Sequence, residues 1–329
     1  MLTANLLEAA REHLEHRNYA EVVELLADLP REELLQIPEQ GYLLADAARR
    51  VGGMEDLLGL ITAVAEAARQ KNETDLLCRA LNLQGVMLME RGQSQAAERA
   101  WCDLVIVASA ADNPQYVARA SNNLGIAATL NMRLETAIAS FQRAIAAYLR
   151  LGYARGCAQS HQNLGIVFRE LNHLQEAHAH FQLAITFAGS VDCPDDIARA
   201  QQETALLMVY GGEDLQRAED LAVQALDTFS QLRQPAGTAE ALRVVGVVAL
   251  AHGRTDEAEE SLKNALMMAR DLKLKLLEAE ALLGLAVVAR RKHDAPSSYT
   301  LHHQAHQIFD EIGAAAWGEQ VQRRMVALQ

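Results

Sequence analysis

A 25-residue stretch of this chain recurs in similar form forty residues later, and this repetition constrains the fold more than any other feature. Residues 121–145 read SNNLGIAATLNMRLETAIASFQRAI, and residues 161–185 read HQNLGIVFRELNHLQEAHAHFQLAI. Self-similarity at such a period is the signature of a chain built by stacking one small unit. The Gly of the shared NLG anchors a register that runs through Gly85, Gly125, Gly165, Ala205, Gly246 and Ala286.

Each unit is predicted to be a pair of helices. A small residue comes twelve positions after the Gly and a large one four positions further on, as Ala137 and Phe141 do. Apolar residues at spacings of three and four indicate helices that bury one face. One extra residue shifts the register in the fourth unit, and we place it at Gly211–Gly212 as a loop insertion. The expected N-caps of second helices include Ser94, Thr255 and Asp256.

The composition of the 329 residues favours an all-α protein and argues against several classes of partner. Half of the residues are hydrophobic and only six are Pro, and the frequent Ala and Leu are strong helix formers. The net charge of −13 argues against nucleic acid as the main partner. No uncharged apolar run approaches the roughly 18 residues that span a bilayer. The opening residues, MLTANLLEAAREHLEHR, carry charge before any apolar core, so we expect no signal peptide and no membrane association.

The cysteines point to a reducing compartment. Cys78, Cys102, Cys157 and Cys193 are far apart in the sequence and include no CxxC pair. We interpret them as buried or partly buried thiols, which are typical of cytosolic proteins. The expected location is therefore cytoplasmic.

The spacing of Leu-Gly, an Ala twelve residues later, an aromatic residue four later and an Ala three later resembles the tetratricopeptide repeat (TPR). The fullest copies are NLGIAATLNMRLETAIASFQRAI and NLGIVFRELNHLQEAHAHFQLAI. The forty-residue period is longer than usual for that family and resembles its long-helix branch. The resemblance implies an all-α fold, an α-solenoid in which about eight helical hairpins form a right-handed superhelix. We expect one domain over residues 1–329, with an irregular N-terminal hairpin (1–36), seven repeats (37–313) and a C-terminal capping helix (314–329).

The same resemblance implies which residues line a concave groove. In TPR proteins the exposed positions of each first helix fall six and three residues before the Gly and one and four residues after it. In this chain those positions supply an Arg-rich column, a carboxamide column and an aliphatic column on one helical face. The predicted partner-binding residues are Arg79, Asn82, Val86, Arg119, Asn122, Ile126, Gln159, Gln162, Ile166, Arg199, Gln202 and Arg243.

These columns have two interpretations. A carboxamide can donate to and accept from an extended peptide, and arginines can pair with acidic side chains. Under this interpretation the partner is an acidic or amphipathic segment, extended or helical. Under the alternative, Arg, Asn and Gln form an ordinary solvated face of the helices. We favour recognition because the polar type is kept from unit to unit while flanking positions vary.

Neither a metal site nor catalysis finds support in the sequence. His302 and His306 have the spacing of two ligands on one helical face, but no carboxylate or Cys stands at a matching position. No Gly-rich phosphate loop, GxSxG or HExxH motif occurs. We therefore expect no enzymatic activity, no metal and no cofactor.

The leading hypothesis is a non-enzymatic scaffold or adaptor that binds a peptide or helix of another protein in its groove. A second hypothesis is a regulator that senses a peptide or ligand and changes superhelical pitch on binding. A third is self-association through the end helices.

Overall fold

The described part of the chain is entirely helical. The computed structural model describes residues 2–52 and 55–326, with side chains from residue 6 onward, and over these residues it contains eighteen helices and no strand. This confirms the predicted all-α class. The helices are α1 (Leu2–Glu15), α2 (Tyr19–Leu26), α3 (Arg31–Gln36), α4 (Pro38–Val51), α5 (Leu57–Gln70), α6 (Thr74–Glu90), α7 (Ser94–Ala110), α8 (Pro114–Leu130), α9 (Leu134–Arg150), α10 (Ala154–Glu170), α11 (Leu174–Gly189), α12 (Pro194–Gly211), α13 (Leu215–Gln231), α14 (Pro235–Ala251), α15 (Thr255–Asp271), α16 (Lys275–Arg291), α17 (Ala295–Glu311) and α18 (Ala315–Val326).

The chain divides into two compact units. The first unit is residues 1–120 and the second is residues 121–329, so the division falls within α8. In the second unit, α10 packs on α11, α12 on α13, α14 on α15 and α16 on α17, and each pair also packs on the next. This stacking of helical hairpins is the predicted α-solenoid. The assignment of the whole chain to one domain stays a prediction, and residues 327–329 of the expected capping helix lie outside the described residues.

Turns of one kind connect the helices from α5 to α18. Each contains a residue with a left-handed φ, and these residues recur every twenty positions, as at Asn72, Gly92, Asp112 and Met132. The next N–H then bonds to the carbonyl five residues back, as Arg133 N does to Ala128 O at 2.8 Å. This Schellman-type closure satisfies carbonyls that the end of a helix would otherwise leave unpaired.

The single slip in the period lies directly after Gly212. The left-handed residues are Asp192, Gly212 and Arg233, so the interval lengthens from twenty to twenty-one. Two residues, Glu213 and Asp214, separate Gly212 from α13, whereas the other turns of this series have one residue at that place. The added residue is thus in a turn and leaves the helix pairing intact.

The anchor glycines are required because a large side chain of the second helix lies against each of them. A Cβ on Gly125 would lie 2.5 Å from Phe141 Cε1, and one on Gly165 would lie 2.5 Å from Phe181 Cε1. Both rings are at most 1% exposed. Gly85 faces Trp101 in the same way within the first unit. The repeat motif is therefore a pair of complementary shapes within each hairpin.

The expected N-caps are wrong, for a reason that lies in these turns. Ser94 and Thr255 are already the first helical residues and Asp256 is the second, and the cap positions, Gln93 and Arg254, make no side-chain cap bond. Side-chain caps occur at Asp56, Asp214 and Asp294, whose carboxylates accept from the N–H three residues on. The short turn places the residue after the left-handed position at the cap, one residue earlier than the sequence pattern suggests.

Candidate partner-binding groove

The Arg-rich column begins in the first unit, where Arg79 is already paired. Its guanidinium lies 3.3 Å from Glu39 and 3.0 Å from Asp75, and it covers the ring of Tyr42 at 5.1 Å. Glu39 also binds Arg11. Although burial raises the pKa of Glu39, the hydrogen bond from Arg11 and the charge of Arg79 outweigh it and hold that pKa below its usual range. Arg79 thus links two successive first helices.

Arg119, the next member of the column, is exposed. Its guanidinium lies 5.7 Å from the ring centroid of Tyr116, which is buried, and among the described residues no carboxylate pairs with it. Asn82 and Val86 are half-buried on α6. Within the first unit, Arg119 is therefore the predicted side chain best placed to receive an acidic group.

In the second unit the carboxamides connect neighbouring first helices. The Oδ1 of Asn122 on α8 accepts from Ser160 Oγ at 3.2 Å and from Asn163 Nδ2 at 3.3 Å, both on α10. The Nε2 of Gln159 donates to Asp196 on α12 at 3.3 Å. Gln162 is half-buried on α10. Part of the predicted recognition face is thus used to hold successive repeats together.

The arginines of the second unit are paired in the same way. Arg199 Nη1 donates to Glu240 at 3.1 Å and lies 5.6 Å from the ring centroid of Phe229. Arg243 Nε lies 3.2 Å from Glu280. Each ion pair joins the first helix of one hairpin to the first helix of the next hairpin. Glu240 lies on α14 and Glu280 lies on α16, each six positions before the anchor residue of its own helix.

Two predicted residues are buried rather than exposed. Gln202 is 3% exposed and Arg243 is 8% exposed. The Nε2 of Gln202 and the Nε of Arg243 lack hydrogen-bond partners within the described structure. They line the interior of the second unit, and their assignment to partner binding stays a prediction.

The aliphatic column lines a cavity. Ile126, 38% exposed, and the half-buried Ile166 border a space of about 200 Å³. Phe141, Leu276 of α16 and Trp317 of α18 close its other sides. This cavity adjoins a second one, and α18 lines both. We call the surface of the second unit that these two cavities form the groove. The residues of the two cavities that α18 also lines are Ile126, Thr129, Leu130, Phe141, Asn163, Ile166, Arg169, Glu203, Leu206, Tyr210, Glu240, Arg243, Leu276 and Glu280.

A buried charged cluster in the groove was not among the predicted residues. The Arg169 side chain is 4% exposed and contacts Glu203 on α12 and, at 3.3 Å, its neighbour Glu170. Glu170 is fully buried and also receives Arg324 Nη1 of α18 at 2.8 Å. Although burial alone would lower it, the surrounding carboxylates raise the pKa of Arg169, so its charge is firmly retained.

Aromatic residues complete this cluster. Tyr210 lies beneath two guanidiniums, 5.9 Å from Arg169 and 5.0 Å from Arg324. Trp317 Nε1 donates to Glu280 at 2.8 Å. Burial lowers the pKa of Arg324 and outweighs the charge of Glu170, whereas at Arg169 and Arg243 the neighbouring carboxylates outweigh burial and raise the pKa. A cation at this place is therefore desolvated and depends on Glu170.

One sequence signal pointed toward the cluster. From the sequence we predict that the residue four positions after the anchor Gly faces the groove, and Arg169 is the residue four positions after Gly165. Glu203, Tyr210 and Arg324 stand outside the counted positions. Their approach depends on how the hairpins curve, which the period alone does not give.

The histidine pair considered as a metal site is otherwise engaged. His302 Nδ1 lies 3.0 Å from Ser298 O, and His306 Nε2 lies 2.7 Å from Gln322 Oε1. Among the described residues, one group of possible metal ligands converges, Cys193 with Asp195 and Asp196. Arg155 binds both carboxylates, so a cation is already supplied by the protein.

Another histidine pair lies between α10 and α11. The Nδ1 atoms of His161 and His180 are 3.0 Å apart, and Phe187 and Phe168 stack on the two rings. Burial, with the charge of His180 as a second cause, lowers the pKa of His161 to about 4. Burial also lowers the pKa of His180. The pair is therefore neutral near pH 7, one ring donating and the other accepting.

The comparisons with known proteins support the repeat assignment. A family model described as the tetratricopeptide repeat matches residues 116–189. No curated protein matches the sequence. No described helix is both long and apolar enough to cross a membrane.

Solved structures share the fold at low identity. A Rap protein complexed with competence and sporulation factor gives a TM-score of 0.61 at 12% identity, with 99% of each chain covered. The Rap conjugation gene regulator of the plasmid pLS20, in complex with the Phr peptide, gives 0.58 at 14%, covering 98% of this chain and 94% of that one. A signal transduction ATPase with a tetratricopeptide repeat sensor, from Pyrococcus horikoshii, gives 0.60 at 13%. This chain is covered to 98% in that match but spans only 48% of the other protein.

Proposed function

We propose that the chain is a non-enzymatic interaction protein that binds a peptide or helix of a partner protein in the groove formed by the first helices of its second unit, as the match of a tetratricopeptide repeat model to residues 116–189 supports. The observation that carries this proposal is the cavity between Ile126 and Ile166. It places exposed and half-buried aliphatic side chains beside buried charges, and sites that bind side chains commonly combine an apolar floor with a few oriented polar groups.

A third cavity, which α18 does not line, supplies charged groups next to this apolar floor. It has a volume of about 400 Å³ and is bordered by Arg199, Lys275, Glu240 and Leu277, among others. Positive and negative groups on one rim suit an amphipathic segment that carries both. In the first unit, the exposed Arg119 suits an acidic side chain. The proposed partner is thus an amphipathic protein segment, with the cytoplasm as the place of binding, where the four free thiols would remain reduced.

A second candidate function is peptide sensing. Two of the similar structures are Rap proteins solved with a bound factor or peptide. If this chain acts in that way, binding changes the pitch of the repeats and not merely the occupancy of the groove. Small-angle scattering with and without the partner distinguishes the two, because a scaffold keeps its radius of gyration and a sensor does not.

The groove assignment is tested by two matched apolar-to-acid substitutions. Ile126→Glu places a charge on a first helix within the groove, and Leu149→Glu places one on α9, the second helix of the same hairpin. The two side chains are 38% and 55% exposed, so both variants should fold. Partners captured by the full-length chain are identified by cross-linking and mass spectrometry. We expect Ile126→Glu to lose a partner that Leu149→Glu retains, with equal melting temperatures.

Two outcomes of this experiment would contradict the groove assignment. If both variants capture the same proteins to the same extent, the partner does not bind in the groove. A partner lost only with Leu149→Glu would place the interaction on the second helices.

A further inference from the structure

We infer that α18 is an intramolecular ligand of the groove, and that the partner is an amphipathic helix with the same pattern: an aromatic residue, an aliphatic residue four positions later and an Arg seven positions after the aromatic one. In α18 these are Trp317, Val321 and Arg324. This inference rests on the proposed function, since it names the chemistry of the segment that the groove binds.

The three residues lie on one face of α18 and line one cavity of the groove. Spacings of four and three place side chains on the same side of a helix. Trp317, Val321 and Arg324 line that cavity together with residues of four first helices, for example Arg169 of α10 and Tyr210 of α12. A partner helix lying along the first helices would meet this same surface.

α18 contacts helices beyond the last hairpin, which a helix that only caps the repeats would not do. A capping helix covers the last hairpin, and α18 does contact α16 and α17. Its Arg324, however, pairs at 2.8 Å with Glu170, which belongs to α10, three hairpins before the last one. Trp317 makes its hydrogen bond at 2.8 Å to Glu280, a groove-facing residue of α16. These are contacts of a ligand with a binding surface.

The charges of the groove show why the bound helix must carry a cation at the position of Arg324. Around this part of the groove the first helices supply four carboxylates, Glu170, Glu203, Glu240 and Glu280, and three guanidiniums, Arg169, Arg199 and Arg243. Arg324 supplies the fourth positive charge. Because an uncompensated buried carboxylate is strongly unfavourable, any helix that replaces α18 must bring a cation to the same place.

The fit of α18 is incomplete, which leaves room for a competitor. A space of about 140 Å³ remains within the cluster. Within the described structure the Oε2 of Glu170 is buried without a hydrogen-bond partner, and so is the Nε of Arg324 in α18 itself. A helix whose cation also reached the Oε2 of Glu170 would bind more tightly than α18 does.

The test uses the full-length chain and a fluorescent peptide of residues 313–329 added in trans. In the parent chain α18 occupies the groove at high effective concentration, so the peptide should bind weakly. In a chain carrying Trp317→Ala and Arg324→Ala, α18 is loosened, and we expect the peptide to bind at least tenfold more tightly by fluorescence anisotropy. Circular dichroism and the melting temperature establish that the remaining repeats are folded.

The peptide itself provides a matched control. Arg323 is exposed and Arg324 is mostly buried, so the two neighbours differ only in which face they occupy. The peptide with Arg323→Ala should bind as the unaltered peptide does, and the peptide with Arg324→Ala at least tenfold more weakly. Glu170→Gln in the loosened chain should remove this difference between the peptides.

Two results overturn the inference. One is an absence of peptide binding to the loosened chain although hydrogen exchange shows that α18 is released. The other is equal loss of binding with either peptide substitution. A stable dimer of the loosened chain, formed by exchange of α18, would show instead that a second copy of this chain is the occupant. None of these results bears on the Ile126→Glu test, so the proposed function can fail or survive separately.

Discussion

The complementarity between Gly125 and Phe141 can be measured with a double-mutant cycle. A Cβ at position 125 would lie 2.5–2.7 Å from three ring carbons of Phe141, closer than any real contact, and the ring is 1% exposed. Because the ring would have to leave its packed position, we expect Gly125→Ala to destabilise the second unit by about 1–3 kcal/mol, as overpacking does. The result would invert the usual stabilisation of a helix by Gly→Ala.

The second arm of the cycle removes the ring. Phe141→Ala leaves a cavity and should cost about 3–5 kcal/mol. In that background Gly125→Ala meets no ring and should instead stabilise the helix by about 0.5–1 kcal/mol. The two substitutions should therefore show a coupling energy of about 1.5–4 kcal/mol.

The assay is equilibrium urea unfolding followed by circular dichroism, with hydrogen exchange of α8 and α9 to locate the effect. Local readout matters because repeat proteins can unfold in parts. Gly189→Ala is the control, since a Cβ there meets nothing within 4 Å. If Gly125→Ala proves as harmless as Gly189→Ala, or if the double variant shows no coupling, the shape argument for the repeat motif is refuted.

Three further predictions follow from other contacts. Folding lowers the pKa of His161 from 6.5 to about 4. The neutral imidazole therefore contributes up to about 3 kcal/mol of stability above pH 6.5, and this contribution is lost as the pH falls toward 4. His161→Gln should flatten this part of the pH–stability curve, and an unchanged slope would contradict the assignment. Asp214→Ala should cost about 1 kcal/mol in urea unfolding, because the Asp214 carboxylate caps α13 by accepting from Arg217 N at 3.0 Å. Arg169→Met should cost about 3–5 kcal/mol in urea unfolding by leaving Glu203 without its cation and Glu170 with Arg324 alone, and an unchanged free energy of unfolding would contradict it.

The hairpins could be predicted from sequence because their determinants are local. A large side chain sixteen positions later packs on the anchor at Gly165, where it is Phe181, and at Gly246, where it is Leu262. The anchor is Ala at position 205, where Ala222 takes the place of the large side chain. Contacts within one hairpin recur in each copy, so the period reveals them. The positions of the turns follow from the same regularity.

The groove could be predicted only in part. The register identified Ile126 and Ile166, which do line a cavity, and it identified Arg199 without the Glu240 that pairs with it. It missed the contact of Arg324 with Glu170, because that contact joins helices that no periodic spacing relates. Sequence periodicity describes what each repeat shares, whereas this contact depends on the summed curvature of several repeats.

The regular left-handed turns also bear on how the chain folds. Because each turn closes its own helix through a backbone bond five residues back, helices can form and pair with near neighbours in the order of their synthesis, and such local contacts generally give fast folding. The pairing of Arg324 with Glu170 spans 154 positions of the chain. Until α18 has been synthesised and has docked, Glu170 depends on Arg169 alone. We expect this contact to be the last to form and the first to open, which gives the end of the chain a kinetic role in exposing the groove.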